Sequence, residues 1–478
     1  MTRRASWAVA LGLATLVVAA CGDEGGGDAA DQGSGDTTPS GSLSSNDTTG
    51  GTTGATTGGT TGGETTDPNA VTFWRDVAPI LDASCTSCHQ AGGIAPFTFD
   101  TYDEVKTWGP AIVAATHART MPPWLVVGDG SCGDYADNEW LSDETLQTLK
   151  DWVDQGMIEG VEQERSLPGV RQLDAISQMI STPDFSPVRE GSDFAEFDEY
   201  RCFPVEVNID SPTYLTGYDV FPGNEAIVHH VIGNIVRPGA ASRRNGKTNA
   251  ERMAELDAES PDRAGWPCYS QAGSGVSIDS DPIGWAPGQG AVSFPEGTGI
   301  PVEPGSVIVL QVHYNLYNDA DQGSSDVTDV ALQFSDEVDT VLYPLYLDLL
   351  LGYGDELEPG QSAYEYRRSV SLADLEVPVN VNLWGIMPHM HERGTQLNVT
   401  LRSPLGSDEP DRCVTQVNDW DFAWQRVYWY NEPILIRPTD TWEMTCTYDT
   451  TGTDEPVLAG WGTKNEMCLT VLYASIAL

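Results

Sequence analysis

The sequence predicts a small all-α domain followed by two all-β sandwich domains, behind an exported N-terminus. Three observations carry this reading. Residues 22–67 hold almost nothing apolar, one amphipathic helical pattern stands near Ser142–Gly156, and from Tyr200 onward short β-branched and aromatic runs alternate with Pro, Gly, Asn and Asp clusters.

Arg3 and Arg4 precede an apolar run from about Ala8 to Ala20. It is too short and wrongly flanked for a spanning helix, so residues 1–20 read as a secretory signal. Val18-Ala19-Ala20-Cys21 looks like a bacterial lipobox, which makes Cys21 the lipidated first residue of the mature chain. The alternative is an ordinary signal followed by a chance cysteine. Residues 21–70 cannot bury enough surface to offset their ordering entropy and read as a tether. A tether of this length reaches roughly 35–40 Å on average. The expected location is that of an exported lipoprotein, in the outer membrane or periplasm of a Gram-negative-type bacterium. Its only membrane contact is the lipid. The balance of 24 Lys+Arg against 71 Asp+Glu, formally −47, offers no basic face for nucleic acid.

Residues 71–160 form the first folded domain. Cys85-Thr86-Ser87-Cys88-His89 is the C-x-x-C-H pattern of covalent haem c attachment, with thioethers from Cys85 and Cys88 and His89 on the iron. A redox C-x-x-C and half a zinc site are the alternatives, and no second ligand pair stands at zinc spacing. The sixth iron ligand is expected at Met121, in a Met-Pro-Pro-Trp run that resembles the distal loop of small bacterial cytochromes c, with His117 as competitor. Ser142 is a good helix N-cap, with Asp143 and Glu144 in the first turn. Leu146, Leu149, Trp152 and Val153 share one face, and Gly156 ends the helix. The domain is thus read as cytochrome c-like and all-α. Residues 161–199 form a connector.

The remaining chain divides into β domains at 200–345 and 346–478. The whole sequence holds seven histidines, and five of them fall in three strand-like stretches here. His389 and His391 stand two apart, so on a strand both imidazoles face one side. His229 and His230 are neighbours, so a shared metal requires a twist or bulge. His313 follows Gln311-Val312, and Glu466-Met467-Cys468 lies near the end. Three imidazoles suit copper or zinc, whereas two imidazoles with a thioether favour copper.

Four motifs in register, His229-His230, Gln311-Val312-His313-Tyr314, His389-Met390-His391 and Glu466-Met467-Cys468, resemble the copper type II, ascorbate-dependent monooxygenases. This is the group of dopamine β-monooxygenase and peptidylglycine α-hydroxylating monooxygenase. The resemblance covers Tyr200 to the C-terminus. It implies two jelly-roll domains carrying two copper ions. His229, His230 and His313 would hold the electron-storing copper, and His389, His391 and Met467 the copper at which O2 is used. It implies hydroxylation of an activated C–H bond, with ascorbate or another one-electron donor as reductant. The partners are then a small-molecule substrate and O2, with a redox partner protein or the fused haem as electron source. It also implies a Cys446–Cys468 disulfide beside the ligand methionine. Cys202 and Cys268 are the expected pair of the first sandwich, while Cys132 and Cys413 stay unassigned.

The peptide-hydroxylating branch carries an arginine where this chain has Met387, and Asn and Tyr where it has Leu469 and Val471. A more apolar small molecule is therefore expected as substrate. Two other readings use the same residues. One is a non-enzymatic electron-transfer or copper-handling lipoprotein. The other is a zinc hydrolase, which Met467 disfavours.

Overall fold

The computed structural model describes residues 69–477, apart from 94, 166, 168–171, 191–196, 245, 270, 288, 348–354, 376, 405 and 461–463. The expected signal, Cys21 and nearly all of the tether lie outside the described residues.

Helices occupy Phe73–Val77, Ala78–Ser84, Tyr102–His117 and Asp143–Asp154. Ser142 caps the last of these by accepting from Thr145 N, and Gly156 follows with φ 89°. Such a cap contributes about 1 kcal/mol. Thr101 and Glu104 close a reciprocal capping box on Tyr102–His117. Phe73, Leu81, Val105, Leu149 and Trp152 form a separate apolar core for these helices.

Between Tyr102–His117 and Asp143–Asp154 the chain leaves that core. Trp124, Val126 and Tyr135 are buried in the main β core instead. Val126 bridges to Val417 and Tyr135 to Tyr430. Val127 N donates to Gln416 O (2.8 Å), Asn431 N donates to Asp134 O (2.9 Å), and Cys132 is disulfide-bonded to Cys413. Each aromatic ring buried this way removes about 150–250 Å² from water and contributes on the order of 3 kcal/mol. The helical part is therefore fastened to the C-terminal β domain.

Among the described residues, the strands from Gln178 to Val341 form a five-stranded and a six-stranded sheet. In the five-stranded sheet, Asp198–Glu206 and Val228–Val236 flank Val307–Asn315, all antiparallel. Val307–Asn315 is buried along nearly its whole length, as a central strand covered on both faces must be. The expected connector supplies part of the other sheet, since Gln178–Ser181 pairs with Asp329–Ser335. An α-helix, Asn249–Ala258, and a short 3-10 helix, Asp319–Asp321, interrupt the β pattern.

Sheet membership changes at Leu342. Beyond it, Tyr343–Leu347, Leu469–Ile476, Val381–His389 and Tyr428–Ile436 form one four-stranded sheet. Tyr364–Ser371, Thr441–Tyr448, Gly394–Arg402 and Arg412–Val417 form another. Residues of both β domains meet in one hydrophobic cluster. The chain is thus mostly β, with few helices. Among the described residues no helix is long and apolar enough to cross a membrane.

Candidate metal centres

The first cluster arises from a local irregularity. Along the pairing of Val228–Val236 with Val307–Asn315, Val228 lies opposite Tyr314 and His230 opposite His313, so His229 is an extra residue. A bulge of this kind re-aims side chains that a flat strand would send to opposite faces. His229 Nδ1 lies 3.3 Å from His230 Nδ1, and His313 Nδ1 lies 3.2 Å from His230 Nδ1. One nitrogen from each of the three falls within 4.8 Å of the others.

Asp198 fixes the third ring. Its Oδ1 accepts from His313 Nε2 (3.0 Å) and from Asn315 Nδ2 (2.7 Å). With the proton on Nε2, the Nδ1 lone pair of His313 faces His230, the arrangement in which a carboxylate orients a metal-binding imidazole. Tyr200 stacks on His313 at 4.0 Å between centroids with 9° between planes. Burial lowers the pKa values of His229, His230 and His313, the last two strongly, so all three are neutral and able to bind a metal at neutral pH.

The second cluster lies in the C-terminal domain. The strand Val381–His389 ends at His389, and His391 stands just past it, rather than within the strand as the alternation suggested. Their ring centroids are 5.1 Å apart. His389 Nδ1 donates to Gln425 Oε1 at 2.5 Å, and Gln425 Nε2 in turn donates to Phe422 O at 2.9 Å. His391 Nδ1 donates to Asn465 O at 2.9 Å. Both Nδ1 atoms are engaged, which leaves both Nε2 lone pairs to face a metal.

Glu466 joins this segment to Met467. Its buried carboxylate accepts from His391 N (3.0 Å), Arg393 N (2.7 Å) and Met467 N (3.3 Å). Burial pushes the Glu466 carboxyl up to about 7, against those three donors. Tyr448 donates to Met467 O (2.7 Å), and the Cys446–Cys468 disulfide adjoins Met467. Cys202 pairs with Cys268 and Cys132 with Cys413. Three disulfides fit an oxidising compartment.

Phe422 stands between the clusters. Its ring lies 5.4 Å from that of His229 and 5.9 Å from that of His391. One aromatic side chain therefore touches both centres.

The C-x-x-C-H stretch lies where the helix Ala78–Ser84 ends. None of the three disulfides includes Cys85 or Cys88. His89 Nδ1 donates to Phe97 O at 3.1 Å, and its ring stacks on Phe99 at 4.4 Å. Met121 is half-buried. His117 is exposed, with Nδ1 held by Val113 O of its own helix at 2.9 Å. Cys88 lines a cavity of about 340 Å³ that Gln425 and Arg426 also line.

The spacing of residues revealed the histidines but not the groups that orient them. Asp198, Tyr200, Gln425 and Phe422 carried no motif. Glu466 stood in one without an evident role.

Residues 349–475 match the family model described as copper type II ascorbate-dependent monooxygenase, C-terminal domain. A tyramine beta-hydroxylase of Caenorhabditis briggsae is 24% identical over 363 residues, 71% of this chain and 54% of that relative. The match thus spans about half of the relative's length. Among solved structures, one of the infectious bursal disease virus Gx strain shares 9% identity, covering 63% of this chain and 73% of that chain at TM-score 0.17. An f-lectin from striped bass (Morone saxatilis) serum shares 9%, covering 63% and 97% at TM-score 0.15. At these scores the structural likeness carries no weight. The sequence likeness does: the segment containing His389, His391 and Met467 is similar to the C-terminal domain of the copper type II ascorbate-dependent monooxygenases.

Proposed function

We propose that the chain is a copper-dependent monooxygenase that hydroxylates an activated C–H bond of a small organic substrate with O2. The observation that carries this is the pairing of two unlike donor sets across Phe422. His229, His230 and His313 offer three converging Nδ1 atoms, an all-imidazole set. His389 and His391 offer Nε2 atoms, with Met467 tied to the same backbone through Glu466. Copper storage needs no such difference, whereas a site that passes electrons and a site that uses O2 do. Copper bound there supplies one-electron redox chemistry. The protein supplies fixed, neutral imidazoles: Asp198 sets His313, Gln425 sets His389, and Asn465 sets His391. The sandwiches are read as jelly rolls.

Met387 stands in place of an arginine that would hold a peptide carboxylate, and the relative named for tyramine also favours a small molecule over a peptide. The experiment is copper analysis followed by O2 uptake against a panel of arylalkyl and amine substrates. Uptake that requires both copper and substrate supports the proposal.

The helical part is proposed to carry a covalent haem c on Cys85 and Cys88, with His89 and Met121 as iron ligands, and to feed electrons to the coppers. His89 Nδ1 is held by a carbonyl, which leaves Nε2 for iron. His117 is turned to solvent and tied to its own helix, which favours Met121. Burial pushes the Cys85 thiol up to about 12, unlike a reactive redox thiol. Cys88 lines a cavity together with Pro123 and Trp124, which follow Met121 closely in the chain. Upstream, Cys21 is proposed as the lipid anchor of an exported protein, held at the outer membrane or in the periplasm.

A further inference from the structure

The loop between the strands Arg412–Val417 and Tyr428–Ile436 touches ligands of both candidate centres. Asp421 shapes a turn within it: its Oδ1 accepts from Ala423 N (2.9 Å) and its carbonyl from Trp424 N (3.1 Å). Trp420 N donates to Thr395 O (2.9 Å), and the Trp420 indole donates to His391 O (3.1 Å). His391 is also held by Glu466 and Asn465, so it does not rely on this loop alone. His389 relies on it more, because the acceptor of its Nδ1–H is Gln425.

The direction in which the Gln425 amide faces is set by its neighbour. Gln425 Nε2 donates to Phe422 O at 2.9 Å, which presents Oε1 to His389. An amide turned the other way would present N–H to Nδ1 and move the ring proton to Nε2, the nitrogen left for the metal. The Phe422 carbonyl thus sets the amide, and the amide sets the tautomer of a ligand in the second centre. The Phe422 ring is half-buried and stacks on His229 of the first centre, at 5.4 Å with 29° between planes. Ring and backbone of one residue therefore connect the first cluster to a ligand of the second.

We infer that Phe422 is a positioning residue: seated on His229, it orients Gln425 and through it His389, so that the first β domain helps to build the second centre. This rests on the copper reading above. His229 lies outside residues 349–475, so this support reaches the second centre from another part of the chain.

The test uses the full chain, in the parent and in Phe422→Leu, Phe422→Tyr, Gln425→Leu and the double variant Phe422→Leu with Gln425→Leu. The probe is copper, competed by a chelator and followed by X-ray absorption of the cuprous protein, whose sulfur signal reports the second site alone. Gln425→Leu is expected to weaken that site by about 10–100-fold, as loss of an orienting partner does. Phe422→Leu is expected to weaken it by about 2–10-fold, the factor that an offset aromatic pair contributes. Phe422→Tyr keeps the ring and is expected to recover most of that loss. In the Gln425→Leu background Phe422→Leu is expected to cost nothing further, because both act through one ligand. A merely structural role for Phe422 would not give that non-additivity. Losses that multiply in the double variant, or parental affinity in Phe422→Leu, overturn the positioning role and leave the copper reading standing. A raised KM with unchanged copper affinity also overturns it and assigns Phe422 to substrate contact. A parent chain that binds no sulfur-ligated copper overturns both.

Discussion

Asp198 holds the Nε2–H of His313 at 3.0 Å and thereby turns His313 Nδ1 toward His229 and His230. Removing the carboxylate's charge loosens that ring without touching a ligand. Asp198→Asn is expected to lower copper affinity at the first cluster by about 10–100-fold, the usual effect of losing a partner that orients a ligand. Competition with a copper chelator measures it, and the second site should be unaffected. Equal affinity in parent and variant would mean that His313 binds no metal.

Met467 has a different test. Met467→Ile preserves bulk but removes sulfur, so the first site should stay filled while turnover is lost. X-ray absorption of the cuprous protein is expected to show a sulfur ligand in the parent and none in the variant. His313→Ala should instead empty the first site and keep the sulfur signal. A sulfur signal that survives Met467→Ile contradicts the ligand set.

Much of this was legible in the sequence, and the limits have physical causes. Ser142, Leu146, Leu149 and Trp152 announce a helix because cap and period are local properties. His389 and His391 are legible as two histidines close together in the chain, although the strand ends at His389 and only the first lies on it. The helix Tyr102–His117 has its capping box at Thr101 and Glu104, but Pro110 in its interior breaks the local helical pattern. The bulge at His229 could be required but not placed, since it depends on the register against Val307–Asn315. Asp198 meets His313 only through strand pairing across a separation of 115 residues. Cys132 and Cys413 could not be paired, because nothing local says that the segment holding Cys132 leaves the helices for the far β domain.

That disulfide closes a separation of 281 residues. In the chain-entropy model a loop of this size is stabilised by about 5 kcal/mol, less any strain. Cys132→Ser with Cys413→Ser is therefore expected to lower the melting temperature and to speed protease cleavage between residues 118 and 140. Both copper sites should still fill. Unchanged cleavage would show that Trp124, Val126 and Tyr135 hold the segment by packing alone.

A fastened helical part also makes a kinetic claim. Ferrous-haem, cupric protein mixed without external reductant should oxidise its haem as copper is reduced, at a rate independent of protein concentration. A rate proportional to concentration, or haem that stays ferrous while ascorbate alone restores turnover, would limit the proposal to the copper centres.

The most direct measurement is turnover under 18O2 with a hydroxylated substrate from the screen, with product analysed by mass spectrometry. A copper monooxygenase is expected to place one labelled oxygen atom in each product alcohol, to use one molecule of O2 per product, and to lose both in Met467→Ile. Copper-dependent O2 uptake that yields peroxide or unlabelled product would contradict it.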